Sequence, residues 1–479
     1  MINKLLIANR GEIAVRIIRA CAEMGIRSLE GGVRSVAIYT DADRFALHVK
    51  KADEAYNLGP DPVAGYLNAH RIVNLAVETG CTAIHPGYGF LSENPQLAEI
   101  CAKRRIRFIG PSAEVIRRMG DKTEARRSMI EAGVPVIPGS DGNVRGLEDA
   151  LEQAKRIGYP VMLKATTGGG GRGIRRCDSA DDLRRNYDRV ISEVSKAFGN
   201  ADVFLEKCIV NPVHIEVQIL ADSHGNVIHL FERDCSIQRR NQKLIELAPS
   251  PQLSSEQRKM IGELAVKAAR AVNYENAGTV EFLLDAEGNF YFMEMNTRLQ
   301  VEHTVSEEIT GIDIVKEQIR IADGKTLSYR QEDVKKRGFA MQFRINAEDP
   351  KNGFLPSFGR ITRYYSPGGP GIRTDSAIYA GYEIPPNFDS MCAKITIWAG
   401  SWDELIQRGF RALKDTRVDG VKTTIPYYQE ILKSSGFRSA RFDTSYVETH
   451  PELIEYSSEP NRHDIAVALA AVVVAHAGL

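Results

Sequence analysis

The 479-residue chain lacks an apolar run long enough to cross a bilayer: its most apolar stretch, Ile465 to Ala475, falls short of the roughly 20 residues a spanning helix needs. A membrane role is excluded, and that stretch is expected to be a docking helix. The N-terminus enters a strand directly, with no charged leader and apolar core of a signal peptide. Cysteine is sparse as well. Seven residues, an odd number without CxxC spacing, rule out a disulfide framework and a zinc site, and they point to a reducing, cytoplasmic compartment. Excess charge of either sign is missing, because Lys+Arg and Asp+Glu are both 62, so no overall field favours nucleic acid or membrane. Two nucleotide fingerprints are absent too. The first strand-to-helix turn carries only Gly11 where a dinucleotide site needs three spaced glycines, and no GK[ST] closes the later glycine run, so Rossmann-type NAD or FAD binding and a Walker A loop are discounted.

What is present is 43% hydrophobic content, enough for several large cores, and the length suggests about three domains. Residues 1–115 read as an open, mostly parallel α/β sheet: the apolar run Lys4 to Ala8, a turn at Asn9-Arg10-Gly11-Glu12, a helix to Cys21, a strand Val36 to Tyr39, a helix Ala69 to Glu78 and a strand at Ala83-Ile84. The loop from His85 to Asn94 (HPGYGFLSEN) follows that strand at the edge where such sheets place ligands. A connecting helix occupies 116–134. A small module over 135–201 follows, in which the strand Val161 to Lys164 runs into Gly168, Gly169, Gly170 and Gly171. Bare backbone N–H groups in such a run can wrap phosphate, with Lys164 and Arg172 adding charge; a flexible hairpin tip is the other reading. Residues 202–450 read as antiparallel β with helices, and 451–479 as a polar linker and the terminal helix. Within this part Ser236 to Lys243 reads as a solvated cationic loop, and Glu206 to Ile209 as a strand end that could reach an adenine and ribose or could be an ordinary edge. Arg344 sits alone in an apolar strand, where a bound anion is its natural partner.

The densest chemistry lies between Glu281 and His303 (EFLLDAEGNFYFMEMNTRLQVEH). Apolar residues flank a turn at Glu287-Gly288, and a two-residue loop there sets Glu281 opposite Glu294. The strand period then puts Asn296, Arg298, Gln300 and Glu302 on the same face for as long as the chain stays extended. Paired carboxylates repel unless a cation lies between them, and Mg2+, which takes carboxylate, amide and phosphate oxygens, is the candidate. A site for a metal and a nucleotide is therefore expected.

ANRGEIA, HPGYGFLSEN, MGDK, GGGGRG, ERDCSIQRRNQK, EMNTRLQVEH and RINAEDP, in this order across residues 2–447, resemble the biotin carboxylase component of biotin-dependent carboxylases. The resemblance implies an ATP-grasp fold of α/β and α+β character: a Rossmann-like N-terminal domain, a small glycine-rich lid and a mixed or antiparallel C-terminal domain. It implies that Lys122, Lys164, Gly168 to Gly171, Glu206, Lys207, Ile209, His214 and Gln238 hold ATP, with Asn241 near the ribose. Glu281, Glu294 and Asn296 would bind Mg2+ or Mn2+. Lys243, Arg298, Gln300 and Val301 would hold bicarbonate, Glu302 would be the general base that leads to carboxyphosphate, Arg344 would stabilise the biotin ureido oxygen, and Tyr88 and Glu93 would line the biotin side.

Three positions depart from the family's pattern. Asn241 stands where many members carry His, Thr304 replaces a proline that commonly follows the Glu-His pair, and Leu29 to Arg34 resembles a short surface insertion. Thr304 frees a backbone N–H and is expected to loosen the loop behind Glu302. No Ala-Met-Lys-Met biotin-attachment sequence occurs, and no carboxyltransferase domain. The implied protein is a separate subunit, homodimeric as members of the family commonly are, that works with a biotin carboxyl carrier and a carboxyltransferase in trans. Its apolar tail resembles extensions on pyruvate and 2-oxoglutarate carboxylase subunits. The alternatives are a subunit of an acyl-CoA carboxylase, another ATP-grasp ligase, or a silent nucleotide-binding scaffold.

Overall fold

The computed structural model describes residues 1–24, 32–140, 142–166, 173–198, 202–456 and 462–477. The glycine run Gly168 to Gly171, Arg172 and the first part of the Leu29–Arg34 segment lie outside them.

The N-terminal part forms a five-stranded, wholly parallel sheet in the order Glu54–Asn57, Arg34–Tyr39, Lys4–Ile7, Ala83–His85, Arg107–Phe108. Its three central strands are buried on both faces, as parallel sheets require, because helices Gly11–Glu23, Ala69–Glu78 and Pro95–Lys103 cover them. The HPGYG loop leaves the carboxyl end of Ala83–His85. Asn9 donates from Nδ2 to the carbonyls of Pro86 (2.7 Å) and Tyr88 (2.8 Å), and so ties this loop to the first turn. Gly87 has φ +63°, and a Cβ there would come within 2.8 Å of that Asn9 amide, so only glycine fits.

Helices Ala113–Gly120 and Lys122–Glu131, the second capped by Asp121, lead into a three-stranded sheet of Ile174–Cys177, Val161–Ala165 and Val203–Lys207. Helices Leu147–Ile157 and Ala180–Phe198 pack on it and close a separate core around Leu163, Leu183, Val190 and Leu205.

The rest of the chain is organised on an eight-stranded antiparallel sheet: Phe290–Asn296, Asn276–Leu284, Val213–Ala221, Val227–Arg239, Gln242–Ala248, Phe339–Asn346, Met391–Ala399 and Ile372–Ser376. Ser236 to Lys243 is not a solvated loop. It is the end of one strand, a two-residue turn and the start of the next, with Gln238 opposite Lys243 and Arg239 opposite Gln242. Arg240 and Asn241 both have positive φ (+49° and +63°), the twisted hairpin turn that matches the right-handed twist of the strands. Polar residues here mark strand positions that face a polar site, which charge density alone cannot distinguish from exposure.

Helix Arg462–Ala477 is described apart from its first side chains, and Val467, Leu469, Val472 and Val473 on it are more than half exposed. No helix among the described residues is long and apolar enough to cross a membrane.

The turn conformation generates a prediction. Asn241→Val places a β-branched residue in the left-handed region and lowers stability by about 1–2 kcal/mol, whereas Asn241→Gly does not; denaturant unfolding of the two variants measures the difference.

Candidate functional site

The site is built on one cross-strand row. Glu294 lies opposite Glu281, Glu281 opposite Glu216, and Glu216 opposite Arg233, across four neighbouring strands. The opposition of Glu281 and Glu294 holds, but not through a two-residue loop. Leu284 pairs with Phe290 and Phe282 with Phe292, one residue out of that register, because the turn spans Ala286 to Gly288. A bulge beside Glu281 restores the register at Glu294.

The extended strand ends at Asn296. Residues 297–302 form an irregular arm that enters helix His303–Thr310. The alternation nevertheless survives, because alternate side chains find polar partners in the site. Asn296 donates from Nδ2 to Glu281 (2.8 Å), and its Oδ1 accepts from Arg298 Nη2 (2.8 Å). Gln300 donates to Glu281 (2.7 Å), and Glu302 meets Lys243 (2.7 Å) and Arg344 (3.0 Å).

Lys243 is the hub. Its ammonium reaches Glu216 at 2.6 Å, Glu302 at 2.7 Å and Glu281 at 3.1 Å, and the three carboxylates are at most 4% exposed. Burial works against a charged lysine, but the three acids outweigh it and hold the ammonium well above its ordinary range. The acids respond in kind. Burial alone would raise Glu216, yet Arg233 and Lys243 pull it down to about 2. Glu281 and Glu302 are held low against burial, Glu281 chiefly by Lys243 and His214, Glu302 chiefly by Lys243 with Arg344 and Arg233. Arg233, wholly buried, grips Glu216, Gln218, Thr279, Ser306 and Gln300. His214 Nε2 lies 2.8 Å from Glu281, while Gln238 approaches its Nδ1 at 3.4 Å.

The remaining candidates surround this centre. Lys122 begins the helix packed beside strand Phe290–Asn296 and acts electrostatically on Glu294, which is exposed. Lys164 and Glu206 form an ion pair across the small sheet, and Lys207 donates to the carbonyls of Gly158 (2.8 Å) and Tyr159 (2.9 Å). Ile209, just past that strand, is half-buried. Asn241 is exposed at the hairpin tip. Arg344 is not an unpaired cation, because Glu246 and Glu302 both bind it. From the N-terminal sheet Glu93 accepts from Arg298 Nε (2.9 Å) and from the Thr297 backbone N–H (3.2 Å). The Tyr88 hydroxyl is buried without a hydrogen-bond partner, and its ring lies under the Lys394 ammonium, which in turn donates to the Val301 carbonyl (2.9 Å).

Glu216, Arg233 and Glu246 were missed by the sequence reading. A signal for the first exists: His214, Glu216 and Gln218 are polar at every second position of a strand whose other face is Ile215, Val217 and Ile219.

Two carboxylates beside a side-chain amide at one end of this arrangement suit a hard cation. Two cations on one acid at the other end suit an oxyanion whose proton that acid removes. A large antiparallel sheet that carries such a site, with a small three-stranded sheet before it in the chain, defines an ATP-grasp ligase. Residues 1–116 match the model of the biotin carboxylase N-terminal domain, 121–330 that of the ATP-binding domain of the carbamoyl-phosphate synthase L chain, and 342–449 that of the biotin carboxylase C-terminal domain. The 2-oxoglutarate carboxylase small subunit of Hydrogenobacter thermophilus is 54% identical over 479 residues, all of both chains. Biotin carboxylase 1 of Bacillus subtilis is 52% identical over 94% of this chain and 99% of its own. The biotin carboxylase domain dimer of the H. thermophilus 2-oxoglutarate carboxylase, solved with MgADP, ADP and bicarbonate, superposes with a TM-score of 0.91 at 55% identity, covering 96% of this chain and all of that one. The chain belongs to the biotin carboxylase family.

Replacing Lys243 by Met leaves three buried carboxylates without their cation and lowers stability by about 3–5 kcal/mol near neutral pH. Carboxylates held below their ordinary 4.5 contribute stability that is full above that value and lost as pH falls toward about 2. The gap between wild type and Lys243→Met therefore narrows over that interval, which unfolding curves at successive pH values measure.

Proposed function

We propose that this biotin carboxylase uses ATP and bicarbonate to carboxylate biotin on a separate carrier, as a subunit of a pyruvate or other 2-oxoacid carboxylase. The observation that carries the reading is the gathering of Lys243, Glu302 and Arg344 into one buried cluster, with Arg298 at its rim. Bicarbonate enters between the cations, with Lys243, Arg298, Gln300 and the Val301 backbone as its donors. Glu302, ionised by its two cationic partners, takes the bicarbonate proton. The freed oxygen attacks the γ-phosphorus of ATP, the bond to the β-phosphate oxygen breaks, and ADP and carboxyphosphate result. Carboxyphosphate then yields CO2 and phosphate, the phosphate takes the proton from biotin N1′, and that nitrogen adds to CO2. Arg344 meets the charge that develops on the ureido oxygen, and Tyr88 and Glu93 line the biotin side.

Lys122, Lys164, Glu206, Lys207, Ile209, His214, Gln238 and the glycine run would hold ATP, with Asn241 near the ribose. Glu281, Glu294 and Asn296 would hold Mg2+ or Mn2+, which supplies charge neutralisation at the transferring phosphoryl group. Their all-oxygen donor set and the ionised state of Glu281 fit such a cation. Asn296 now turns its amide nitrogen to Glu281, so as a ligand it would present its oxygen instead.

A carrier and a carboxyltransferase on other chains and a 2-oxoacid as final acceptor are supported by the match, end to end, to a 2-oxoglutarate carboxylase small subunit, and a homodimeric state by the match to the biotin carboxylase domain dimer of H. thermophilus. The terminal helix is included in that match, and the B. subtilis protein aligns with 94% of the chain. The helix is proposed to dock the partner subunit.

ATP hydrolysis by the purified protein is expected to require bicarbonate and to rise with free biotin; indifference to both overturns the reading in favour of another ATP-grasp ligase. Glu302→Gln lowers kcat by about 100- to 10,000-fold, the span of general-base contributions; unchanged turnover would point to a scaffold. Truncation after Pro460 weakens copurification of the carboxyltransferase partner and spares turnover of free biotin. Lost turnover would assign the tail to the fold.

A further inference from the structure

Helix His303–Thr310 does not follow Glu302 loosely. Its residue Thr304 is wholly buried against the polar face of the large sheet, where Glu246, Gln342 and Thr396 stand opposite one another on three neighbouring strands. The Thr304 hydroxyl lies 2.5 Å from Gln342 Oε1 and 2.7 Å from Thr396 Oγ1. Gln342 donates from Nε2 to Glu246 Oε2 at 2.9 Å. The other oxygen of Glu246 accepts from Arg344 Nε, and Arg344 Nη2 donates to Glu302 Oε2 at 3.0 Å. A continuous chain of hydrogen bonds thus runs from Thr304 to the acid two residues before it.

The protons in this chain have one consistent direction. Glu246, engaged with Arg344, only accepts, so the Gln342 amide must turn its NH2 toward it and its oxygen toward Thr304. Thr304 must therefore donate to Gln342, and its single proton being used, Thr396 must donate to Thr304. Thr304, Gln342 and Glu246 are fully buried and Thr396 is 1% exposed, so bulk water cannot substitute for a missing donor. Without the Thr304 proton the Gln342 oxygen is stranded, and the amide keeps its NH2 toward Glu246 but is no longer fixed in angle from its far side.

We propose that Thr304 is a positioning residue: acting through Gln342 and Glu246, its hydroxyl sets the angle of the Arg344 guanidinium against Glu302 and the substrate. This rests on the roles of Arg344 and Glu302 proposed above. Besides Arg344, the charged and titratable groups facing Glu302 are Lys243, Glu216, Arg233, Glu246, Glu281, Arg298 and Cys235. None of the others touches Thr304, so the side-chain route from Thr304 to Glu302 runs through Arg344.

The test compares Thr304→Val, which keeps the shape and removes the donor, with Thr304→Ser, which keeps the donor. Thr304→Val is expected to lower kcat/KM for free biotin about ten- to a hundredfold, the range in which outer partners of a site commonly act, with KM for ATP unchanged. The acidic limb of the rate profile moves to higher pH, because Glu302 loses part of its hold from Arg344. Thr304→Ser restores both. A merely structural role would lower thermal stability and raise KM for ATP without moving the acidic limb; that result, or equal impairment by Ser and Val, overturns the proposal. A second readout is independent of the reaction. The Nε–H resonance of Arg344, assigned with Arg344→Lys, exchanges faster with solvent in Thr304→Val than in wild type or Thr304→Ser. If wild type shows no biotin- and bicarbonate-dependent turnover, the proposed function fails by itself. Unchanged exchange in Thr304→Val sinks the positioning role whatever the turnover.

Discussion

The polar interior of the large sheet depends on one buried ammonium among three carboxylates. Glu216, Glu281 and Glu302 come from two adjacent strands and a helix entrance, and they could not share a water-poor pocket without Lys243 between them. Arg233 beneath and Arg344 beside them complete the neutralisation. The cluster keeps Glu302 ionised although it is buried, the state that the general-base role proposed for it requires. It also makes the site rigid, since moving any one member leaves an unpaired charge in the interior.

The arm from Thr297 to Glu302 is where the separate parts of the chain meet. It has no regular structure of its own, and its conformation comes from what grips it. Glu93 holds Thr297 and Arg298 from the N-terminal sheet, Lys394 holds the Val301 carbonyl, and Arg233 holds Gln300. Lys394 is itself fully buried and paired with Glu12 of the first helix at 3.1 Å. The Glu281–Asn296 end and the Arg298–Glu302 end of the site are therefore linked through N-terminal residues as well as through the strand that precedes the arm.

Much of this was legible in advance. The parallel N-terminal sheet follows from short apolar runs alternating with helices, and the antiparallel character of the later part follows from closely spaced strands. The opposition of Glu281 and Glu294 was also readable, although a longer turn and a compensating bulge produce it. Other features were hidden for definite reasons. The segment from Ser236 to Lys243 looks like a solvated loop because its polar side chains face an internal polar site, and sequence cannot separate that from facing water. Arg344 looked unpaired because Glu246 lies 98 positions away in the chain. Thr304 looked like a loosening substitution because its partners, Gln342 and Thr396, come from strands far along the chain.

By itself, then, the sequence determined the strand and helix periods, the order of modules, and which residue types stand ready for phosphate, cation and oxyanion. These are local properties, set by side-chain alternation, turn chemistry and spacing along a few residues. The tertiary structure alone decided which acid each cation neutralises, that the arm from Thr297 to Glu302 is held from outside, and that Thr304 is hydrogen-bonded into the polar face of the large sheet. Those outcomes depend on register across an eight-stranded sheet and on contacts between residues hundreds of positions apart, where burial turns a weak exposed pairing into a strong constraint.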